Sequence, residues 1–472
     1  MATSDTQNGP RAAFLTGSLL KHITVMSLTS SVGLMAIFLV DLVDMIFISM
    51  LGHEELAAAV GYAGAILFFT TSFGIGMSIA AGALVARALG EGDRQIAKRR
   101  AATALLYGVV IGSAFAALVW AFVPQLTALL GASGETLALA TSYLRIILPS
   151  LPILIVGMVG GAILRAHGDA RRAMMATIWG GVINAVLDPI LIFGLDLELT
   201  GAAMASVCAR MTIAALSIYP VLRHHGGLDR PNSADFRVDF PAIMTIALPA
   251  ILTQFATPLG QAYVTRAMAE FGEDAVAGMA IVGRLIPVSF AVIFALSGAI
   301  GPIVGQNFGA GSLDRVRRAI RDGLVFVLCV TVGVSLILFL ARAPIANLFN
   351  AEGLSRDLVY LFCGPLALAW FFNGVIFVTN AGFNNLGRPF YSTWINWGRQ
   401  TLGTIPLVIL GASLWGAPGV LIGQAAGGLI FAVIALALSA RVLRMAECGE
   451  CDADAHPYQR QTRLISLFGN RR

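Results

Sequence analysis

An amide and a carboxylate stand four residues apart in the otherwise apolar stretch WGGVINAVLDPILIF, residues Trp179 to Phe193. They are Asn184 and Asp188, and Pro189 follows directly. On an α-helix this spacing puts both side chains on one face, and the proline favours a kink because it removes a backbone hydrogen bond. An acid at membrane depth costs about 2.5 kcal/mol or more, so it usually lines a cavity or meets a partner. The stretch therefore predicts a cation or proton site.

Two further acids lie three residues apart in a second apolar stretch, closer to the N-terminus. They are Asp41 and Asp44, which fall roughly on one helix face and are far in sequence from any basic residue. Carboxylates that share a cavity repel one another, and burial disfavours their charged forms. At least one of these carboxyl groups is therefore expected to take up a proton more readily than a free carboxyl group does, which permits protonation near neutral pH.

The elements that carry these residues must be membrane-spanning helices. Hydrophobic residues make up 57% of the 472-residue chain and charged residues only 12%, with a mean hydropathy of +0.81. The segments are apolar all round, as in membrane helices, whereas strands of a membrane barrel would alternate. We predict an all-α membrane protein with twelve spans: 23–50, 56–84, 101–122, 137–164, 173–193, 201–222, 241–268, 275–304, 324–340, 358–381, 390–410 and 418–443.

Basic residues cluster in the loops after even-numbered spans, as in the stretch Arg87 to Arg100. By the positive-inside rule both termini face the cytoplasm. The predicted organisation is an N-terminal arm (1–22), an N-lobe (23–225), a linker (226–240), a C-lobe (241–444) and a tail (445–472). Cys448 and Cys451 in the tail lack the second pair expected of a zinc site.

The two predicted lobes contain an internal repeat at an offset of about 220 residues. Three pairs carry it: LGHEELAAAVGYAG with FGEDAVAGMAIVGR, ARALGEGDRQIAKRRA with GQNFGAGSLDRVRRAI, and LRAHGDARRAMM with FNNLGRPFYSTW. The repeat predicts two six-helix halves of the same orientation, related by an axis along the membrane normal. That architecture is typical of carriers with a binding site between the halves.

From about residue 20 to 443 the sequence resembles the multidrug and toxic compound extrusion (MATE) family of secondary transporters. The resemblance rests on LVDMIFISMLGHEELAAAVG (42–61), ALGEGD (88–93), NAVLDPILIFG (184–194) and PIVGQNFGAG (302–311). It implies a V-shaped, twelve-helix antiporter that exports amphipathic, often cationic compounds in exchange for H⁺ or Na⁺. The wider superfamily also contains flippases of lipid-linked oligosaccharide and peptidoglycan precursors.

The resemblance also implies where the coupling ion binds. The family's N-lobe cation site would fall on Asp44, Asn184, Asp188 and Ser206, with Asp41 as an additional candidate from its spacing. Two chemistries remain open at this point. The site could take up a proton, or its oxygen atoms could hold Na⁺, with Asp44, Asn184 and Asp188 as the main ligands. No other cofactor is expected.

A second, acidic site in the C-lobe is not expected, because the aligned positions are Thr257 and Asn373. Arg399 lies deep in a predicted span and could neutralise an acid or meet an anionic cargo. Aromatic side chains are candidates for lining a substrate cavity together with Arg399, and the ones selected are Phe68, Phe290 and Trp370.

The expected function is antiport of an amphipathic, cationic organic compound or drug against H⁺ or Na⁺, by a plasma (inner) membrane protein. The alternative is a lipid-linked precursor flippase, for which Arg399 and Arg210 would supply basic residues. Zinc-protease, serine-hydrolase and phosphate-loop patterns do not occur, so an enzyme is not expected. The expected partners are a small-molecule substrate and membrane lipid, without nucleic acid, and the protein is expected to be a monomer.

Overall fold

The structure is a computed structural model, and it describes residues 12–51 and 54–448. In the described residues the chain is helical and has no strands. The N-lobe helices are α1 (Leu19–Met50), α2 (Glu54–Gly90), α3 (Arg94–Ala121), α4 (Val123–Leu129), α5 (Gly134–Ile147), α6 (Leu151–Ala166), α7 (Ala170–Pro189) and α8 (Glu198–His224). The C-lobe helices are α9 (Ser233–Ala269), α10 (Glu273–Ser289), α11 (Ala291–Gly309), α12 (Leu313–Leu348), α13 (Gly353–Leu361), α14 (Ala367–Asn385), α15 (Phe390–Gly398), α16 (Thr404–Trp415) and α17 (Ala417–Glu447).

These helices build the predicted twelve spans in two six-helix lobes, and the predicted fold class is confirmed. Among the described residues, eleven helical stretches are long and apolar enough to cross a membrane by themselves. The remaining span, which is the eleventh in chain order, consists of α15 and α16, and these are joined through a π-turn over Arg399–Gly403. The interruption divides the span into pieces that are each shorter than a membrane crossing.

Several spans contain helix breaks at positions where the backbone loses a donor. The predicted span 275–304 consists of two helices, α10 and α11. They meet at Phe290, three residues after Pro287. A π-turn over Phe362–Leu366 divides α13 from α14 and contains Gly364 and Pro365. Proline cannot donate an i→i−4 hydrogen bond, so a helix commonly bends or restarts near it.

The basic stretch from Arg87 to Arg100, which the sequence suggested to be a loop, is almost entirely helical. Helix α2 continues to Gly90 and α3 begins at Arg94. Asp93 caps α3, and its Oδ1 accepts a hydrogen bond from the Ile96 backbone N–H at 2.9 Å. The cap satisfies a free donor of the first turn, which is why the helix starts before the apolar run does.

The two lobes cross at a pair of equivalent glycines. A Cβ on Gly90 of α2 would stand 2.0 Å from the Gln306 carbonyl oxygen of α11. A Cβ on Gly309 of α11 would stand 2.1 Å from the Arg87 carbonyl oxygen of α2. Because Gly90 aligns with Gly309 and Arg87 with Gln306 in the internal repeat, the contact has the two-fold pseudosymmetry that the repeat predicts.

A second connection between the lobes, which we call the Phe14 clamp, consists of Phe14, Gln306, Asn307 and Arg315. Phe14 is 2% exposed; its N–H donates to Gln306 Oε1 at 2.9 Å, and its carbonyl accepts from Arg315 Nη2 at 2.9 Å. Gln306 Nε2 also donates to the Ala166 carbonyl of the N-lobe at 2.7 Å. Gln306 and Asn307 therefore lie buried within α11 and connect the lobes.

The predicted arm, linker and tail are only partly covered by the described residues. Helix α1 begins at Leu19, inside the predicted arm, and α9 begins at Ser233, inside the predicted linker. Residues 1–11 of the arm, and the tail after Cys448 with Cys451, lie outside the described residues.

Candidate functional site

The site residues of the N-lobe come together because small residues let α7 approach its neighbours closely. A Cβ on Gly181 would stand 3.0 Å from Val40 Cγ2 of α1. A Cβ on Gly180 would stand 2.3 Å from Ile213 Cγ1 of α8. Close approach through small side chains is the usual way in which membrane helices pack. One turn and two turns beyond these glycines, α7 carries Asn184 and Asp188.

The centre of the site is a carboxyl pair formed by Asp44 of α1 and Asp188 of α7. The two carboxyl groups interact directly with one another. Asn184 Nδ2 donates to Asp188 Oδ2 at 2.8 Å, and Asp188 is 0% exposed. The Oδ1 atoms of Asp44 and Asp188 are buried and have no hydrogen-bond partner. This arrangement is one that a shared proton or a bound cation would complete, because two charged carboxylates in contact repel one another.

Two hydroxyl groups adjoin the carboxyl pair. Tyr143 of α5 is 9% exposed, lies near both carboxyl groups, and its phenol interacts with the Ser206 hydroxyl of α8. Arg210, one turn after Ser206, donates through Nη1 to Ser150 Oγ at 2.9 Å and to the Ile147 carbonyl at 3.3 Å. The guanidinium is thus bound to neutral acceptors.

Asp41 lies apart from the carboxyl pair. Its side chain is exposed, and its nearest charged neighbour is Asp44 on the same helix. The structure therefore brings together Asp44, Asn184 and Asp188, with Ser206 reached through Tyr143.

A local change of helix type follows the acid on α7. Directly after Pro189 the backbone forms a π-turn over Ile190–Gly194. A Cβ on Gly201 of α8 would stand 2.7 Å from the Leu191 carbonyl carbon, so the start of α8 packs directly against this turn. Single π-turns within helices occur frequently at functional sites. The α-helical hydrogen-bond pattern thus ends directly after Pro189, at the position where the sequence predicts a kink.

Hard oxygen atoms are the only ligands that the site offers to a metal ion. No group of three or more His, Cys, Asp or Glu side chains that could hold a metal occurs in the described part of the chain. A sodium ion would depend on Asp44, Asp188 and neutral oxygen atoms such as that of Asn184. Those ligands fit a weakly held alkali cation better than a tightly held transition metal.

The C-lobe contains a separate cavity of about 210 Å³. Arg399 begins the π-turn between α15 and α16 and lies on the wall of this cavity together with Thr257 and Asn373. The Arg399 guanidinium donates to the Asn373 side-chain oxygen. The remaining wall is aromatic, aliphatic and amide in character, and the described lining residues include no carboxylate.

The aromatic candidates fall in three different places. Trp370 lines the C-lobe cavity. Phe290 is 0% exposed and stacks behind Trp370, with ring centroids 4.9 Å apart and an interplanar angle of 12°. Phe68 is 42% exposed on α2 of the other lobe. Of the four residues selected for a substrate cavity, only Trp370 and Arg399 lie together on its wall.

Sequence reasoning missed Tyr143 and the amides of the C-lobe cavity, which are Gln261, Gln400 and Gln424. A usable signal for the glutamines is that each is an amide within an apolar span, as Asn184 is. Tyr143 carries no such signal, because a tyrosine near the end of a span is common at membrane interfaces.

Comparisons with known proteins agree with this architecture. The sequence profile of the MatE family matches residues 30–190 and 249–410, two stretches that begin 219 residues apart, in agreement with the repeat. A protein of Shewanella oneidensis named FAD transporter is 31% identical over 92% of this chain and 97% of its own length. The multidrug export protein MepA of Staphylococcus aureus is 24% identical over 84% of this chain and 88% of its own length.

Solved structures show the same fold. The crystal structure of a mutant of a Vibrio cholerae MATE transporter superposes with a TM-score of 0.86 at 25% identity, covering 90% of this chain and 97% of the other. The matched proteins are membrane transporters rather than enzymes. Taken with the profile match over both lobes, the twelve spans and the repeat, these findings show that the chain belongs to the MatE family of multi-pass membrane transporters.

Proposed function

We propose that the protein is a secondary antiporter that exports an amphipathic organic compound in exchange for H⁺, with the ion bound at the Asp44–Asp188 carboxyl pair. The observation that carries this proposal is the interaction of the half-buried Asp44 carboxyl group with the buried Asp188 carboxyl group, each of which has a buried, unpartnered Oδ1 atom. A purely structural pair would be expected to have its oxygen atoms satisfied by hydrogen-bond donors.

Protonation of the pair would change the charge at the junction between α1 and α7. A carboxyl group that gains a proton becomes a donor, so the Asn184–Asp188 hydrogen bond and the adjoining π-turn would have to adjust. An ion shifts the balance between two conformations only by its differential affinity for them. The two conformations would differ in how closely α1 packs against α7 and in how firmly the lobes meet at Gly90 and Gly309.

Sodium is the second candidate for the coupling ion. The unpartnered Oδ1 atoms of Asp44 and Asp188 are hard oxygen ligands. We favour the proton because the two carboxyl groups already interact directly, and a proton can be shared across that contact without separating them.

The cargo is proposed to be organic and to carry an aromatic ring. The Shewanella relative is named for FAD and the Staphylococcus relative for multidrug export, and the C-lobe cavity has an aromatic wall. We also propose that the protein lies in the plasma (inner) membrane with both termini in the cytoplasm, from the distribution of basic residues. The Phe14 clamp and the Gly90–Gly309 crossing would then lie at the cytoplasmic end.

A lipid-precursor flippase is less well supported. Recognition of a pyrophosphate would favour several basic groups converging on one cavity. Arg210 is bound to Ser150 and Ile147 inside the N-lobe, whereas Arg399 lies in the C-lobe cavity.

Transport by purified protein in proteoliposomes tests the proposal. Fluorescent amphipathic dyes would be loaded, and efflux would be measured separately under an imposed proton gradient and an imposed sodium gradient. We expect efflux with the proton gradient alone and none without a gradient. Efflux with the sodium gradient alone would show that the coupling ion is Na⁺ and not H⁺. Flipping of a lipid precursor, without dye efflux under either gradient, would contradict antiport.

A further inference from the structure

The side chain of Arg399 is half-buried and has no counter-ion among the described residues. Its guanidinium donates to the Asn373 amide oxygen, and its Nε atom is buried and has no partner. A guanidinium stays charged at any physiological pH. At membrane depth such a charge normally pairs with another charged group or marks the path of a substrate.

The surroundings of Arg399 hold it facing the cavity. Arg399 begins the π-turn between α15 and α16, and its backbone carbonyl accepts a hydrogen bond from the Thr404 hydroxyl at 2.9 Å. The neighbouring Gln400 is 5% exposed and lies so close to α9 that a Cβ on Gly260 would stand 2.1 Å from its Oε1 atom. The turn is therefore packed against α9, which leaves the guanidinium little freedom to swing out of the lobe.

The rest of the wall suits one end of an aromatic anion. Gln261, Gln400 and Gln424 line the same cavity as Arg399, and each carries an amide N–H donor. Trp370 and Phe294 also line it, with ring centroids 5.5 Å apart. A cavity lined by a guanidinium, amide donors and aromatic rings suits an oxyanion attached to a flat ring.

The volume limits what can enter. About 210 Å³ is smaller than the roughly 300–1,000 Å³ of sites that enclose a whole drug-sized ligand. The cavity therefore fits an aromatic ring or its charged substituent, and the remainder of a larger cargo would extend outside it.

We propose that the C-lobe cavity is a cargo subsite that binds the phosphate or carboxylate group of an aromatic compound through Arg399. This inference rests on the proposed transport function, and it replaces the cationic cargo expected from the family resemblance with an anionic one. Arg399 supplies the charge-assisted hydrogen bonds, and an oxyanion would take up its free Nε donor.

Two fluorescent compounds that share one ring and differ by a phosphate test this directly: riboflavin 5′-phosphate and riboflavin. Equilibrium binding is measured to the full-length protein in detergent, without any gradient, so that the result does not depend on ion coupling. We expect the wild-type protein to bind the phosphate compound at least about tenfold more tightly, the ratio that one charge-assisted contact supplies.

Three variants show where that preference arises. Arg399→Gln should reduce the ratio to within about twofold, while Arg399→Lys, which keeps the charge and loses the planar fork, should retain part of it. Arg342→Gln is the matched control, because Arg342 lies in the same lobe but packs over the Phe339 ring, 4.2 Å from its centroid. It should keep the full ratio.

Several outcomes would overturn the proposal. They are equal binding of the two compounds by the wild-type protein, a preserved preference in Arg399→Gln, or displacement of the phosphate compound by anionic lipid vesicles but not by neutral ones. If Arg399 had only a structural role, replacing it would weaken the binding of both compounds alike and leave the ratio of their affinities unchanged. If Arg399→Gln does not fold, Arg399→Lys still allows this ratio to be measured. Failure of ion coupling alone would abolish gradient-driven efflux and leave the ratio intact.

Discussion

The two lobes share an ancestral repeat and six spans each, yet their interiors have opposite chemistry. The N-lobe interior holds the Asp44–Asp188 carboxyl pair with Asn184. The C-lobe interior holds Arg399 among amides and aromatic rings, and no carboxylate lies on the described wall of its cavity. In the function that we propose, the two similar helical frames differ at a few interior positions, which fit one lobe for a small cation and the other for an anionic group.

The feature that the lobes keep in common is the place where they meet. Gly90 and Gly309 occupy equivalent positions of the repeat and make reciprocal contacts with the backbone of the opposite lobe. Gly92 and Gly311, two residues further on, both have positive φ, at 82° and 70°. The interior chemistry differs between the lobes, whereas the geometry of the crossing is the same, which is expected if both lobes rotate about this contact.

The largest effect should come from removing the charge of the carboxyl pair. Asp188→Asn keeps the shape of the side chain but cannot bind or release a proton, so gradient-driven efflux should fall by about a hundredfold or more, an energy of roughly 2.7 kcal/mol. Asp44→Asn should behave in the same way. The assay is efflux from proteoliposomes under a proton gradient.

Glu135→Gln serves as the control for that experiment. Glu135 is an exposed acid in the first turn of α5, away from the pair, and its loss should leave efflux near the wild-type rate. Normal proton-driven efflux by Asp188→Asn, in protein that elutes as a folded species, would show that the pair is not the ion site.

Substitution of a glycine at the crossing of the two lobes should have the next largest effect on transport. The effect should be the same whether Gly90 or Gly309 is replaced. Gly90→Ala and Gly309→Ala each place a Cβ about 2 Å from a backbone carbonyl of the other lobe, a distance at which the helices must separate. We expect each to slow transport by about tenfold or more, because the lobes can no longer close there.

Gly64→Ala is the matched control on α2, since a Cβ at Gly64 meets nothing within 4 Å. It should be neutral, or stabilising by up to about 1 kcal/mol from helix propensity. A large defect from only one of Gly90→Ala and Gly309→Ala would contradict the two-fold equivalence of the crossing.

The Phe14 clamp should have an intermediate effect, on conformation more than on binding. Gln306→Leu removes the bonds to the Phe14 N–H and to the Ala166 carbonyl while keeping most of the volume. We expect faster labelling of a cysteine placed near Phe14, since the lobes would separate more often at this end. Unchanged labelling would mean that the remaining helix contacts hold the lobes together without the clamp.

The smallest effect concerns a histidine that one lobe has and the other lacks. His167 lies between α6 and α7, and the repeat places Leu386 at the equivalent position. Burial lowers the pKa of the His167 imidazole to about 4, and its Nδ1 lies 2.9 Å from the Ile163 carbonyl oxygen. His225, Arg94 and Asp169 are the charged or titratable groups that act on it.

Because the unfolded imidazole has a pKa of about 6.5, His167 favours folding at higher pH, and that stability is lost as the pH falls from about 6.5 to about 4. On acidification the melting temperature of His167→Leu should therefore fall by a few degrees less than that of the wild-type protein. Parallel melting curves at about pH 7 and about pH 5 measure it. Identical losses in the two proteins would show that this imidazole does not contribute to acid sensitivity.

Much of the fold could be predicted from the sequence because it depends on long apolar runs and on a repeat. The apolar runs predict the number of spans, and the glycines of the three repeated motifs predict how the spans pair. The helix breaks are harder to predict. Pro287 and Pro365 are visible in the sequence, but the π-turn at Arg399 depends on packing of the eleventh span against α9, which no local pattern records.

The residues of the candidate site also differ in how far the sequence predicts them. The spacing of Asn184 and Asp188 placed them on one face, and the family resemblance added Asp44 on another helix. Tyr143 could not be found, because its position beside the pair depends on how α5 packs in the lobe. The C-lobe cavity was anticipated only as the isolated arginine Arg399, since its amides come from three different helices.

The central claim is that ion and cargo occupy separate sites, one in each lobe. Its most direct test is the ratio of riboflavin 5′-phosphate to riboflavin affinity in Asp188→Asn, measured in detergent without a gradient. The account predicts that this ratio equals that of the wild-type protein even though the variant exchanges no ion. A ratio that falls to near one, as expected for Arg399→Gln, would show that the carboxyl pair itself forms the cargo site and would contradict the account.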